Sequence, residues 1–134
     1  MAKISVDYEG ALRTKSTHLQ SGTTLLTDAP LDNNGKGASF SPTDLLATAY
    51  TSCMLTIIGI YCQNNKLTFQ HGGASVEKIM TDKPRRVECL KIKMDLSGNN
   101  WDSKTRKKIE VAALNCPVAK SVSTEIKIDI QFTY

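Results

Sequence analysis

The chain has 134 residues, of which 40% are hydrophobic and 22% are charged, values typical of one soluble globular domain. Its formal net charge of +4 comes from basic residues that are interleaved with acids, which favours a solvated surface over a nucleic-acid-binding stripe. Aromatic residues make up only 6% of the chain, too few for a base-stacking platform. No nucleic-acid partner is therefore expected.

The first part of the chain predicts a three-stranded β-meander followed by a long helix. Three segments that turn residues separate are candidate strands. Apolar and polar residues alternate in residues 3–8, residues 11–19 are more polar, and residues 23–27 are the third. A long loop rich in Asp, Asn, Gly and Pro follows over residues 28–37. Ser41 can cap the helix, Pro42 suits its first position, and it is expected to run to about Gln63.

The helix lies in an uncharged run between Asp44 and Lys66, which is close to the length that spans a bilayer. Several Thr, Ser, Asn and Gln side chains reduce the apolarity of this run. We therefore interpret it as the central helix of a soluble core or dimer, with no membrane partner. The start of the chain, MAKISVDYEG, contains no apolar stretch long enough for a signal peptide, so a cytoplasmic location is expected.

The second part of the chain predicts two strands, two helices and a closing strand. The expected ranges are 66–81 and 86–97 for the strands, 102–114 and 115–122 for the helices, and 126–134 for the last strand. The fold class is therefore α+β, with the order βββ-α-ββ-αα-β in a single domain over residues 1–134.

Four cysteines in a reducing compartment are not expected to form a disulfide framework. Cys62 and Cys89 fit the pattern of small buried hydrophobes. Cys116 precedes a proline at an expected helix start, where converging N–H groups favour an anion and lower the pKa of a thiol. Cys53 lies in the middle of a helix and needs a cation or hydrogen-bond donors from elsewhere to become a nucleophile. The spacing of the cysteines is compatible with two interpretations, a redox pair and a set of buried structural thiols.

A metal site is not expected from the same residues. The cysteines form no CxxC pair, and the two histidines, His18 and His71, stand far apart in the chain.

The segments SPTDLLATAYTSCM, which contains Cys53, and NCPVAKSV, which contains Cys116, occur in this order together with the loop APLDNNGKGASF and the short segment PRRV. In these segments the chain resembles the OsmC/Ohr family of small thiol-dependent proteins. The resemblance implies an intertwined homodimer, with the long central helix buried in it and the active sites at the subunit interface.

The resemblance also implies a peroxidase that reduces organic hydroperoxides, and hydrogen peroxide less well. In that activity Cys53 becomes a sulfenic acid and Cys116 condenses with it to a disulfide. An external thiol or dithiol then reduces the disulfide, and no metal or organic cofactor takes part.

Family peroxidases hold the reactive thiolate with an arginine, which a glutamate orients. Arg13 is the best match for this arginine, whereas Thr43 stands at the position of the glutamate, with Asp44 one residue later. Lys36 and His18 are further candidates near the site. Four residues close to Cys53 are expected to line an apolar substrate pocket: Leu46, Tyr50, Met54 and Ile57. The missing glutamate leaves an alternative, an OsmC-fold protein that binds a small ligand or senses redox state without efficient peroxidase activity.

Overall fold

The computed structural model describes residues 2–134, which cluster into two compact units that divide between Leu45 and Leu46. The first unit holds three strands, β1 (Ile4–Gly10), β2 (Arg13–His18) and β3 (Thr24–Asp28), and a short 3-10 helix (Leu31–Asn33). Helix α1 (Pro42–Asn64) begins at its end. The second unit continues with β4 (Gly73–Thr81), β5 (Arg86–Asp95), α2 (Ser103–Leu114) and β6 (Lys127–Thr133). The α+β class is as the sequence predicts.

The first unit is the expected antiparallel meander, in the order β1-β2-β3. Its first turn places Ala11 and Leu12 at positive φ angles of 52° and 63°, the backbone that a tight two-residue hairpin requires. The loop after β3 folds back on the strand, because the amide of Asp28 donates to the carbonyl of Phe40 at 3.0 Å. This loop leads directly into α1.

Helix α1 begins with a reciprocal cap. The amide of Ser41 donates to Oδ2 of Asp44 at 2.9 Å, and the amide of Asp44 donates to Oγ of Ser41 at 3.0 Å. These bonds satisfy backbone donors that the first helical turn leaves unpaired. By length and composition α1 could cross a membrane, but the core helix of a soluble protein meets the same test. In the second unit one face of α1 is buried.

The second unit has one sheet, in the order β4-β5-β6, with β4 antiparallel and β6 parallel to β5. Because parallel neighbours need a crossover, α2 lies between β5 and β6 in the chain. Alternate residues of β5 are buried, and they share one hydrophobic core with residues from α1 and α2. The fully buried side chains of this core include Met54, Ile58, Leu90, Met94 and Ile109.

Two predicted elements are wrong. The helix expected over residues 115–122 is a single turn, in which the amide of Lys120 donates to the carbonyl of Cys116 at 3.2 Å. The hydroxyl of Ser121 donates to the carbonyl of Pro117 at 2.7 Å. In a longer helix this carbonyl would accept from the Ser121 amide instead. The strand expected from residue 66 begins at Gly73, because side chains satisfy the backbone of the preceding segment.

Candidate active site

The second unit brings Cys53 and Cys116 together. Cys53 lies on α1 and is half-buried, whereas Cys116 follows α2 by two residues and is 0% exposed. The two thiols lie close enough for Cys53 to influence the protonation of Cys116, and both are free. They meet because α1 and α2 pack into the same core, in which Met54 stands beside Cys53 in sequence and Ala113 lies one turn before Cys116. A disulfide between them would join the two helical segments.

The electrostatics of Cys116 differ from the prediction. Burial raises the pKa of the Cys116 thiol, and the neighbouring Cys53 side chain adds to this increase. The backbone amides of Ala119 and Val118 oppose it, as expected at the start of a helical turn, but they do not overcome burial. Cys116 therefore remains a protonated thiol near neutral pH.

The predicted pocket residues divide into two groups. Leu46, Tyr50 and Ile57 recur with Cys53 at the spacing of one helix face. Met54 is instead fully buried in the core and is not available to line an accessible pocket. Tyr50 is 4% exposed, and burial, together with repulsion from Cys116 once that thiol ionises, raises the pKa of its hydroxyl. Tyr50 is thus a neutral phenol near Cys116.

Arg13 lies on β2 of the first unit, with a side chain that is 40% exposed. Its Nε atom is 3.9 Å from Oδ2 of Asp28, a carboxylate that is fully buried at the end of β3. Asp28 is not among the site residues that the sequence predicts. The available signal was strand pairing, since a hairpin between the second and third predicted strands places residue 28 opposite residue 13.

The other candidates lie in the first unit as well. Asp44 and Thr43 both contact Ser41 in the cap of α1, with 3.2 Å between the hydroxyls of Thr43 and Ser41. Nδ1 of His18 lies 2.6 Å from Oγ of Ser21 in the turn after β2. Lys36 is exposed in the loop between β3 and α1.

A surface groove of about 390 Å³ lies elsewhere in the second unit. Tyr61 forms part of it and lies two helical turns beyond Cys53 on the same face of α1. The remaining lining residues come from α2: Lys107, Lys108, Val111 and Ala112. Across residues 2–134, no group of three His, Cys, Asp or Glu side chains is placed to hold a metal ion.

The family model described as OsmC-like protein matches residues 35–131, most of the chain. The chain belongs to the OsmC-like protein family. No sequence among curated proteins matches it. It is similar to a solved structure from Psychrobacter arcticus 273-4, named as an osmotic stress induced and detoxification response protein. The identity is 45%, the match covers 99% of this chain and 96% of that one, and the TM-score is 0.92.

More distant OsmC-like structures show the same fold. An organic hydroperoxide resistance protein OsmC from Legionella pneumophila is 13% identical, with coverage of 100% of this chain and 97% of that one and a TM-score of 0.80. The organic hydroperoxide resistance protein OhrB of Bacillus subtilis is 16% identical, with coverage of 99% and 98% and a TM-score of 0.67.

Proposed function

We propose that this OsmC-like protein is a thiol peroxidase that reduces organic hydroperoxides, and hydrogen peroxide less well. The observation that carries the proposal is the pairing of a half-buried thiol, Cys53, with a fully buried thiol, Cys116, in one unit. Cys53 is accessible to a substrate from solvent, whereas the buried Cys116 is accessible to Cys53. The names of the Legionella and Bacillus structures agree with this choice of substrate.

In the first step the Cys53 thiolate attacks the terminal oxygen of the hydroperoxide. The O–O bond breaks, the sulfur gains a hydroxyl group as a sulfenic acid, and the alkoxide takes a proton and leaves as an alcohol. Sulfur supplies both electrons. Arg13 is the cation proposed to stabilise the thiolate, since its planar guanidinium offers two parallel donors.

In the second step the sulfur of Cys116 attacks the sulfur of Cys53. The S–S bond forms while the S–O bond breaks, and the departing hydroxide takes the proton of Cys116 and leaves as water. Because the pKa of Cys116 is raised, this thiol remains protonated until the sulfenic acid forms. That order protects Cys116 from direct oxidation.

The cycle closes when an external thiol or dithiol reduces the disulfide by exchange. The scheme requires no metal and no organic cofactor. The proposed location is the cytoplasm, where a thiol reductant is available and the four cysteines stay reduced.

A homodimer is part of the proposal. On one face of β1, Ile4, Val6 and Tyr8 are all more than 60% exposed. The exposed arc of α1 within the second unit also carries no charged residue, only small, polar or apolar side chains such as Ser52, Thr56 and Ile60. Apolar surfaces of this kind are typical of subunit interfaces.

The test is consumption of cumene hydroperoxide by the reduced protein with dithiothreitol as the reductant. Cys53→Ser should abolish turnover, and Cys116→Ser should stop it after formation of the sulfenic acid, which dimedone labels. Cys62→Ser is the matched control, since this buried thiol lies on the same helix and should leave turnover intact. Peptide mapping that finds no Cys53–Cys116 linkage after oxidation would contradict the proposal.

A second candidate function is binding of a small apolar ligand with an anionic end. The groove beside Tyr61 favours it, because its lining surface is apolar and Lys107 and Lys108 are among the residues that form it. The groove is separate from the thiols, so Cys53→Ser should leave ligand binding intact. Calorimetric titration with decanoate tests it, and unchanged binding by the Lys107→Ala/Lys108→Ala protein would count against this groove.

A further inference from the structure

The buried carboxylate of Asp28 stands opposite Arg13 in the first unit. Strand pairing places the two residues directly across β2 and β3, and Oδ2 of Asp28 lies 3.9 Å from Nε of Arg13. On the other side, Arg13 pairs with Gly10 of β1, which has no side chain. Of the two residues directly opposite Arg13 in the sheet, only Asp28 therefore has a carboxylate that can contact the guanidinium.

Asp28 is held more firmly than Arg13. Its Oδ2 atom accepts a hydrogen bond from the amide of Ala38 at 2.9 Å, and its own amide donates to Phe40. The amide of the next residue, Ala29, donates to the carbonyl of Leu12 at 3.1 Å. These bonds fix the carboxylate between the sheet and the loop, whereas the Arg13 side chain is 40% exposed.

The pair also has unused hydrogen-bonding capacity. Nε of Arg13 and Oδ1 of Asp28 are both buried without a hydrogen-bond partner. A buried polar atom without a partner is costly, so a movement of the guanidinium toward the carboxylate that gives Nε an acceptor is favourable. The carboxylate thus has both the charge and a free oxygen with which to orient Arg13.

We propose that Asp28 is the positioning residue for Arg13, the part that a helix glutamate plays in family peroxidases and that Thr43 cannot supply here. This inference rests on the proposed function, in which Arg13 stabilises the Cys53 thiolate. Asp28 acts only through Arg13 and does not touch the substrate.

The two roles that Asp28 could have, orientation of Arg13 or a simple nearby charge, predict opposite shifts in the pH at which Cys53 is alkylated. If Asp28 orients Arg13, Asp28→Asn weakens stabilisation of the thiolate, and alkylation of Cys53 shifts to higher pH. If Asp28 acts only as a nearby negative charge, its removal favours the thiolate and shifts the reaction to lower pH. The amide oxygen of asparagine can still accept the Ala38 bond, so this variant retains the loop contact.

The experiment follows iodoacetamide alkylation of Cys53 against pH in the full-length protein, with each cysteine resolved by peptide mass spectrometry. We expect Asp28→Asn to raise the pH midpoint by about one unit and Asp28→Glu to restore part of the loss. In the Arg13→Ala background, Asp28→Asn should have no further effect. Thr27→Val is the control, since it removes the neighbouring hydroxyl contact with Thr14 and leaves the charge in place.

An unchanged or lowered midpoint in Asp28→Asn, or an equal shift in Thr27→Val, overturns the inference. So does a full effect of Asp28→Asn in the Arg13→Ala background. Peroxide consumption, measured in parallel, separates the two proposals. A wild-type Cys53 that does not react with cumene hydroperoxide faster than a free thiol rejects the peroxidase, whereas alkylation alone decides whether Asp28 acts through Arg13.

Discussion

The amide of Ala119 donates a hydrogen bond to the sulfur of Cys116 at 3.4 Å. Such a bond favours the thiolate, and it is the local effect that a cysteine before a helical turn predicts. Burial nevertheless dominates, because the sulfur is fully enclosed and an anion there loses its hydration. The balance makes Cys116 a protonated partner and leaves Cys53 as the accessible thiol.

The first prediction concerns the pH dependence of Cys116. In the Cys53→Ser protein, alkylation of Cys116 should have a midpoint above that of the same thiol in urea, near 8.5 for an ordinary cysteine. Removal of Cys53 takes away a smaller contribution, and burial remains. A midpoint, unlike a rate, is independent of slow access to the buried sulfur. A midpoint at or below the urea value would contradict the prediction.

The raised pKa of Cys116 also makes the free energy of unfolding depend on pH. Because the folded protein binds the Cys116 proton more tightly than the unfolded chain, the contribution is complete below the unfolded pKa. It is lost as the pH rises toward the folded pKa. Urea denaturation between pH 8 and about 10 should therefore show a smaller decline in the Cys116→Ala protein than in the wild type.

The second prediction concerns Asn99, whose buried side chain forms hydrogen bonds with backbone groups that a neighbouring strand would otherwise bond. Its Oδ1 accepts from the amides of Gln70 and His71 at 2.8 and 3.3 Å, and its Nδ2 donates to the carbonyls of His71 and Leu96 at 2.6 and 2.8 Å. Asn99→Ala leaves these backbone groups unpaired and should lower the free energy of unfolding by about 2–4 kcal/mol.

Two variants sharpen this experiment. Asn99→Asp can still accept from the two amides, but it cannot donate to the two carbonyls. Because one of its carboxylate oxygens would face these carbonyls, Asn99→Asp should lower the free energy of unfolding at least as much as Asn99→Ala does. Asn100→Ala changes an exposed neighbour and should alter stability by less than about 0.5 kcal/mol. Equal losses in Asn99→Ala and Asn100→Ala, measured by urea denaturation, would show that the network contributes nothing.

The third prediction concerns the last residue of the chain. The hydroxyl of Tyr134 donates to Oε2 of Glu110 at 2.6 Å, and its ring lies 4.5 Å from the guanidinium carbon of Arg106. Tyr134→Phe keeps the ring contact but removes the charge-assisted bond, which should cost about 1–2 kcal/mol. Tyr8→Phe removes only an exposed contact and should cost less.

Tyr134 also predicts a difference at high pH. Burial, followed by the bond to Glu110 and its charge, raises the pKa of the Tyr134 hydroxyl. The stability gained from the protonated phenol is therefore present below the ordinary tyrosine pKa of about 10 and is lost above it. Wild type and Tyr134→Phe should converge in stability as the pH rises past this value. Parallel pH curves would argue against the assignment.

Local patterns in the sequence were sufficient for much of the fold. Alternation over most of β5 predicted its buried face, and the hairpin turns predicted the meander. The cap at Ser41 and Asp44 fixed the start of α1, since both partners lie within four residues. Each of these features depends on neighbours in the chain, which is why sequence alone could predict it.

Contacts between distant residues account for what the sequence did not reveal. Residues 67–72 read as strand, but Asn99 and Trp101 bind their backbone from about thirty positions away. The raised pKa of Cys116 follows from burial by the packed core, which no local pattern reports. Asp28 stands at the start of the predicted loop, and only the register of the hairpin gives it a partner.

The fourth prediction concerns the proposed homodimer. Val6 lies with Ile4 and Tyr8 on one face of β1 and is 61% exposed. In an isolated chain, Val6→Glu should change stability little, because a largely exposed side chain buries little apolar area. In a homodimer that covers this face, a buried unpaired carboxylate would strongly weaken association. Sedimentation velocity should show a dimer for the wild type and a larger monomer fraction for Val6→Glu.

Asp7→Gln is the matched control for this experiment. Asp7 is the next residue of the same strand and points to the opposite face of the sheet, so its replacement should leave the dimer intact. A Val6→Glu protein that remains a dimer would exclude this face as the interface. A wild-type protein that sediments as a monomer would remove the dimer from the proposal, whereas the thiol chemistry would then have to be complete within one chain.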